Sequence, residues 1–162
     1  MKTLKQVIGM DVSKDTFHVC LGTIDENQTV QVLQQNSFEN KAKGFKEFFR
    51  WKEKHSVKNI PLWHVMEATG VYYENLAYSL AETKENICVL LPNKSKHFAK
   101  SLDIKTKTDK VDAGILCKIG LERVLAVLAS ALLEIASATL VVASAPMKLP
   151  SAKMELPSAF IS

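Results

Sequence analysis

Four acidic residues in this chain occupy positions where they could do chemistry. Asp11 closes the apolar run Val7-Ile8-Gly9-Met10, and Glu67 closes the run Pro61-Leu62-Trp63-His64-Val65-Met66. Asp109 and Asp112 lie three residues apart, which puts both on one face of a helix. Burying an unpaired carboxylate costs several kcal/mol, so an acid at the end of a buried strand either forms a turn or meets a cation. Four carboxylates gathered in one pocket cannot all stay ionised without cations. An oxygen-only donor set suits Mg²⁺ or Mn²⁺, which keep waters for a phosphate. Two such ions about 4 Å apart activate the attacking oxygen and stabilise the leaving one in phosphodiester cleavage. Beside the acids runs a basic segment, Lys94, Lys96, Lys100, Lys105, Lys107 and Lys110, interleaved with His97, Phe98 and Ser101. Lysines flanking such a site would hold nucleic-acid backbone. Simpler alternatives stay open: Asp11 as a turn cap, Asp109 and Asp112 as acids at a solvated helix start, and the lysines as a solubilising loop.

The elements that must position these residues follow from the apolar pattern. Val7 to Ser13 reads as a strand buried on both faces, because a half-buried strand would alternate. A hairpin through Ser13-Lys14-Asp15 leads to Phe17-His18-Val19-Cys20-Leu21 before Gly22. Residues 29–36 alternate as a third strand after the turn Asp25-Glu26-Asn27-Gln28. Asn40 is the expected N-cap of a helix over 41–54, whose Phe45, Phe48, Phe49 and Lys52 recur at helical spacing and pack on the sheet. A fourth strand over 61–66 ends in Glu67-Ala68-Thr69-Gly70. A helix over 71–82 then follows, with Leu76, Leu80 and the tyrosines as its inner face. Residues 87–91 form a fifth strand stopped by Pro92. The order β-β-β-α-β-α-β-α predicts an α/β fold, a mixed sheet with helices on both faces. Neighbouring strand ends in such a sheet converge on one edge, where a packed helix can bring its own acidic face.

Composition narrows the class. The chain has 162 residues, enough for one domain with a real core. Its formal charge of +4 is too small to name a partner by itself. Cys20, Cys88 and Cys117 form no C-x-x-C pair, and His18, His55, His64 and His97 form no H-x-x-x-H pair. Reduced buried thiols are expected, and a zinc site is not. No secretory signal precedes Asp11. Residues 124–145 are Ala, Leu, Val and Ser with one charge, Glu134. A carboxylate near the middle of a span costs about 3 kcal/mol, so this stretch reads as a buried or partner-seeking helix and no membrane is expected. Residues 145–162 carry Pro146, Pro150 and Pro157, repeat Leu-Pro-Ser-Ala, and read as an irregular tail.

Three separated stretches together resemble a known family. They are Ile8-Gly9-Met10-Asp11-Val12-Ser13-Lys14, Met66-Glu67-Ala68-Thr69-Gly70-Val71-Tyr72, and 93–116 with Lys107-Thr108-Asp109-Lys110-Val111-Asp112-Ala113. In order and spacing they look like the DEDD transposases of the insertion-sequence-110 (Piv/MooV) family, over about residues 7–123. The resemblance implies a RuvC-like, RNase H-type domain over 1–123, with Asp11, Glu67, Asp109 and Asp112 as catalytic, metal-binding tetrad and Mg²⁺ or Mn²⁺ as cofactor. It implies DNA recombination or transposition in a bacterial cytoplasm, at the nucleoid, with DNA, a structured bridge RNA and further copies of the chain as partners. Family members continue into a long helical segment and a second domain carrying a serine that attacks DNA. Residues 124–162 look like neither, and instead like an out-of-frame or truncated end. No catalytic serine is therefore assigned among Ser130, Ser137, Ser144, Ser151 and Ser158.

Two rival readings come from other classes. An actin-like or sugar-kinase ATPase also opens with a strand, an Asp and a hairpin. It wants a Gly-Thr-type phosphate loop after the Asp and a second Asp-Gly loop, where this chain has Val12-Ser13-Lys14 and no second loop. The other is a non-catalytic remnant that keeps the fold and binds nucleic acid or dimerises.

Overall fold

In this computed structural model, β1 (Thr3–Val12), β2 (Thr16–Asp25) and β3 (Val30–Glu39) form an antiparallel meander. β4 (Leu62–Glu67) joins β1 in parallel, and β5 (Asn86–Leu90) joins β4 in parallel, giving the strand order β3-β2-β1-β4-β5. The helices are α1 (Ala42–His55), α2 (Glu74–Glu82) and α3 (Pro92–Ser101), and residues 111–123 are helical and are called α4. The structure describes residues 2–101 and 111–123. All of them belong to the first of two units, Met1–Val127 and Leu128–Ser162. The readings of 124–145 as a helix and of 145–162 as a tail lie outside the described residues.

β1 is buried without interruption from Lys5 to Met10, as a strand covered on both faces must be. Its side chains divide by the two-residue period. Val7 joins Cys20, Val65, Phe98, Ala113, Cys117 and Leu121 on the α3 and α4 side. Ile8 and Met10 join Phe17, Phe48, Met66, Leu76 and Leu80 on the α1 and α2 side. The α1 phenylalanines do pack there: Phe48 is fully buried, with Phe45 and Phe49 partly buried against the same cluster. Phe48 meets Phe17 and Phe38, which lie 5.5 Å apart, at centroid separations of 5.6 and 5.7 Å. Such pairs contribute about 0.5–1.5 kcal/mol each beyond their buried area.

Three local expectations are corrected. Asn40 does not cap α1: Lys41 holds the N-cap position without a side-chain bond. The Asn40 amide instead donates to Ser13 O (2.8 Å) and Tyr72 O (2.9 Å), pinning the β1–β2 turn to the segment before α2. That segment is a turn over 70–73, so α2 starts at Glu74, three residues later than the apolar pattern suggested. Gly70 begins the turn at φ +64°, a backbone conformation that favours glycine. Nor do the tyrosines form the inner face. Leu76 and Leu80, four apart, are fully buried, whereas Tyr78 lies between them on the opposite side and is 66% exposed. Tyr72 is also exposed, and only Tyr73 packs on the core.

His64 is wholly buried in β4. Its Nδ1 lies 3.1 Å from Asn86 O and 3.9 Å from a Glu85 carboxylate oxygen, and Glu85 is also paired with Lys52 of α1. Burial pushes the imidazole down to about 4 against the upward pull of Glu85. Among the described residues no helix is long and apolar enough to cross a membrane.

Candidate functional site

Parallel pairing of β1 and β4 sets Met10 opposite Met66. The next residue on each strand is Asp11 and Glu67, so the two carboxylates stand at the same step of adjacent strand ends. Met10 and Met66 both belong to the core beneath α1 and α2. Alternation therefore directs the Asp11 and Glu67 positions to the other face, where α3 and α4 pack. Both acids are half-buried.

The path of α4 is read from its contacts with β1. Lys5 Nζ donates to Leu121 O at 3.0 Å, and the Cys117 thiol donates to Val7 O at 3.4 Å. A Cβ on Gly120 would come within 2.5 Å of Val7 Cγ1, and one on Gly9 would lie 2.1 Å from Cys117 N and 2.2 Å from Ala113 O. The helix therefore runs antiparallel to β1, and two glycines let its backbone lie almost on the strand. Its first described turn, with Asp112, arrives at the sheet edge where Asp11 and Glu67 end.

Glu67 is held by two hydroxyls. Thr69 Oγ1 donates to Oε1 at 2.7 Å, and Ser95 Oγ, from the inner face of α3, donates to Oε2. Ser95 Oγ also lies 3.0 Å from Pro92 O, one turn back in its own helix. On the outside of α3, Lys94, Lys96 and Lys100 are exposed.

Asp11, Glu67 and Asp112 thus reach one edge of the sheet. Asp109, Lys105, Lys107 and Lys110 lie outside the described residues. Among the described residues, no three His, Cys, Asp or Glu side chains are grouped closely enough to hold a metal ion. The donor chemistry of these acids, hard oxygens only, fits Mg²⁺ or Mn²⁺.

Some features of this edge escaped the sequence reading. β3 ends at Glu39 opposite Thr16, and Asn40 N donates to Asp15 O at 2.8 Å, so α1 also starts here. Exposed Lys14, Lys41 and Lys43 therefore stand at the edge on the sheet's other side, with exposed Lys46 and Arg50 following along α1. Their signal was present in the 3.6-residue spacing of cations opposite the phenylalanine stripe. Ser95 and Thr69 gave no signal, since nothing local marks a hydroxyl as the partner of a distant carboxylate.

The cysteines are free thiols, as expected, with Cys20 and Cys117 buried. Cys20 and Cys117 are neighbours in one cluster between β2 and α4. The Cys117 thiol beside it, with the Gln35 amide and against the effect of burial, brings Cys20 down to about 7, while Cys117 is raised.

Comparison with known proteins places this geometry in context. The family model of the DEDD, insertion-sequence-110 type, described as a transposase, matches residues 8–139. The pilin gene-inverting proteins of Moraxella lacunata and Moraxella bovis are 35% and 36% identical over 116 residues, 72% of this chain. The chain spans only 34% of the length of each of these relatives. Among solved structures, RuvC of Thermus thermophilus bound to a Holliday junction substrate superposes with a TM-score of 0.50 at 9% identity. A second structure of Thermus thermophilus RuvC gives 0.51 at 8%. Each match covers 69% of this chain and 90% of the other. Likeness at that identity speaks for the fold alone, which is RuvC-like and RNase H-like, as the family resemblance had implied.

Proposed function

The chain belongs to the DEDD transposase family of the insertion-sequence-110 type, and from that premise we propose that it is the metal-binding, nucleic-acid-handling domain of a DNA recombinase. The observation that carries this reading is the shared register step of Asp11 and Glu67 on adjacent parallel strands, reached by the first described turn of α4. In the proposal Asp11, Glu67 and Asp112, joined by Asp109, are the ligands of one or two divalent ions. Those ions, when bound, supply Lewis-acid stabilisation and nucleophile activation for phosphodiester transfer. The chain's own contribution is rigidity and charge. Strand ends fix two of the carboxylates, and Lys94, Lys96 and Lys100, with Lys105, Lys107 and Lys110, contact phosphates on the α3 side. Lys14, Lys41 and Lys43 extend that basic rim across the edge, and Tyr72 offers an exposed ring beside it. DNA, a structured guide RNA and further copies of the chain are the partners in this reading.

The test is titration of Mg²⁺ or Mn²⁺ by calorimetry on the wild-type chain and on Asp11→Asn, followed by cleavage assays with DNA and candidate RNA. Binding in the wild type that disappears in Asp11→Asn, with nucleic-acid affinity retained, is the expected result. Cleavage that persists in Asp11→Asn refutes the role given to Asp11.

A further inference from the structure

We propose that Ser95 is a positioning residue: from α3 it aims the Glu67 carboxylate and ties it to the helix that carries Lys94, Lys96 and Lys100. The inference rests on the reading of Glu67 as a metal ligand. Ser95 is only 6% exposed, and its hydroxyl donates to Glu67 Oε2 while Thr69 donates to Oε1. The terminal torsion of a glutamate is a broad, nearly two-fold rotor, so a carboxylate bonded on both oxygens is fixed where one bonded on a single oxygen can swing. Each carboxylate oxygen accepts about two hydrogen bonds. The two hydroxyls therefore take one position on each oxygen and leave the other for a cation.

A local role for Ser95 does not account for this arrangement. Its contact with Pro92 O belongs to the helix start, but a hydroxyl has one proton, and a carboxylate is a stronger acceptor than a peptide carbonyl. Nor is α3 loosely placed. Phe98, three residues on and on the same inner face, is buried, with the Arg123 guanidinium 4.9 Å from its ring centre. Phe98 thus docks α3, with Ser95 facing the carboxylate, while Lys94, Lys96 and Lys100 project outward. The hydroxyl is the link between the lysine-bearing helix and the carboxylate.

The test is Mn²⁺ titration by calorimetry on the full chain, with thermal midpoints measured alongside, for wild type, Ser95→Ala, Ser95→Thr and Glu67→Gln. Ser95→Ala is expected to weaken Mn²⁺ binding about tenfold at an unchanged midpoint, in line with the usual effect of losing a hydrogen bond that orients a ligand. Ser95→Thr, which keeps the hydroxyl, is expected to recover most of that loss. Wild-type affinity in Ser95→Ala overturns the proposal, provided Glu67→Gln has lost binding. An equal loss in Ser95→Thr, or a Ser95→Ala chain that does not fold, overturns it in favour of a structural role. Wild-type binding by Glu67→Gln refutes the parent reading of Glu67 instead.

Discussion

Gly9→Ala is the sharpest perturbation of the docking that brings Asp112 to the carboxylate edge. The added Cβ would sit 2.1 Å from Cys117 N, 2.2 Å from Ala113 O and 2.8 Å from Cys117 Cα. Comfortable non-bonded contacts lie at about 3.5–4.0 Å, so α4 must retreat by about 1.5 Å. No side chain can give way, because every one of these atoms is backbone, and on the strand side β1 is held by β2 and β4. Overpacking typically costs about 1–3 kcal/mol, and a clash between two backbones belongs at the upper end. For a domain of this size about 3 kcal/mol lowers the thermal midpoint by about 10 °C. The same retreat carries Asp112 away from Asp11 and Glu67, so Mn²⁺ affinity should fall with stability, unlike the Ser95→Ala expectation. Gly114 is the control within the same helix. A Cβ there meets nothing within 4 Å, and Gly→Ala in a helix gains up to about 1 kcal/mol. Circular dichroism melting of both variants decides the matter. A Gly9→Ala midpoint within about 2 °C of wild type, or no difference in sign between the two glycines, refutes the docking geometry.

Three further outcomes are expected. His64 has an ordinary value near 6.5 and is held at about 4 in the folded chain, so below pH 6.5 the unfolded state takes up the proton first. The stability that neutral His64 allows is therefore complete above about pH 6.5 and is lost as the pH falls toward 4. By pH 5 the loss is about 2 kcal/mol relative to pH 7, measurable by urea denaturation, and His64→Leu should flatten that part of the profile; an unchanged profile in His64→Leu would assign the acid sensitivity elsewhere. Replacing Lys94, Lys96 and Lys100 by Glu should weaken duplex binding and reduce the slope of log affinity against log salt by about 3, read by fluorescence anisotropy; equal binding refutes phosphate contact on α3. Replacing Lys43, Lys46 and Arg50 by Ser measures the share of α1 in the same way, and an unchanged salt slope would remove that helix from the interface.

What could be read from the sequence and what could not divide along physical lines. Strands were legible because burial on both faces leaves an unmistakable run, as in Val7-Ile8-Gly9-Met10, and turns because Asp25-Glu26-Asn27-Gln28 and Glu67-Ala68-Thr69-Gly70 interrupt such runs with residues that tolerate tight backbone. The end of a strand was therefore legible too, and with it the positions of Asp11 and Glu67. The side of a helix that faces inward was less so. Tyrosine carries an apolar ring and a polar tip, so Tyr72 and Tyr78 satisfied an apolar pattern while standing in solvent. Asn40 was misjudged for a related reason. Its side chain suits an N-cap, but two carbonyls from distant loops, of Ser13 and Tyr72, compete for it, and that contact exists only once β1, β3 and the 70–73 turn have assembled.

The same distinction explains why a carboxylate edge needs more than carboxylates. Like-charged carboxylates do not by themselves draw a helix to a strand end. The packing of α4 along β1 does. Gly9 and Gly120 remove side chains from the crossing, so α4 buries Ala113, Cys117 and Leu121 against Val7, Cys20 and Val65, while the Lys5 ammonium bonds to Leu121 O at the far end. Apolar burial along the length of the helix, at about 25 cal/mol per Å², holds it there. If Asp11, Glu67 and Asp112 hold a divalent ion as proposed, such ions should raise the thermal midpoint of the wild-type chain but not that of Asp11→Asn. An equal rise in both would place the ion elsewhere and separate the carboxylates from the proposed chemistry.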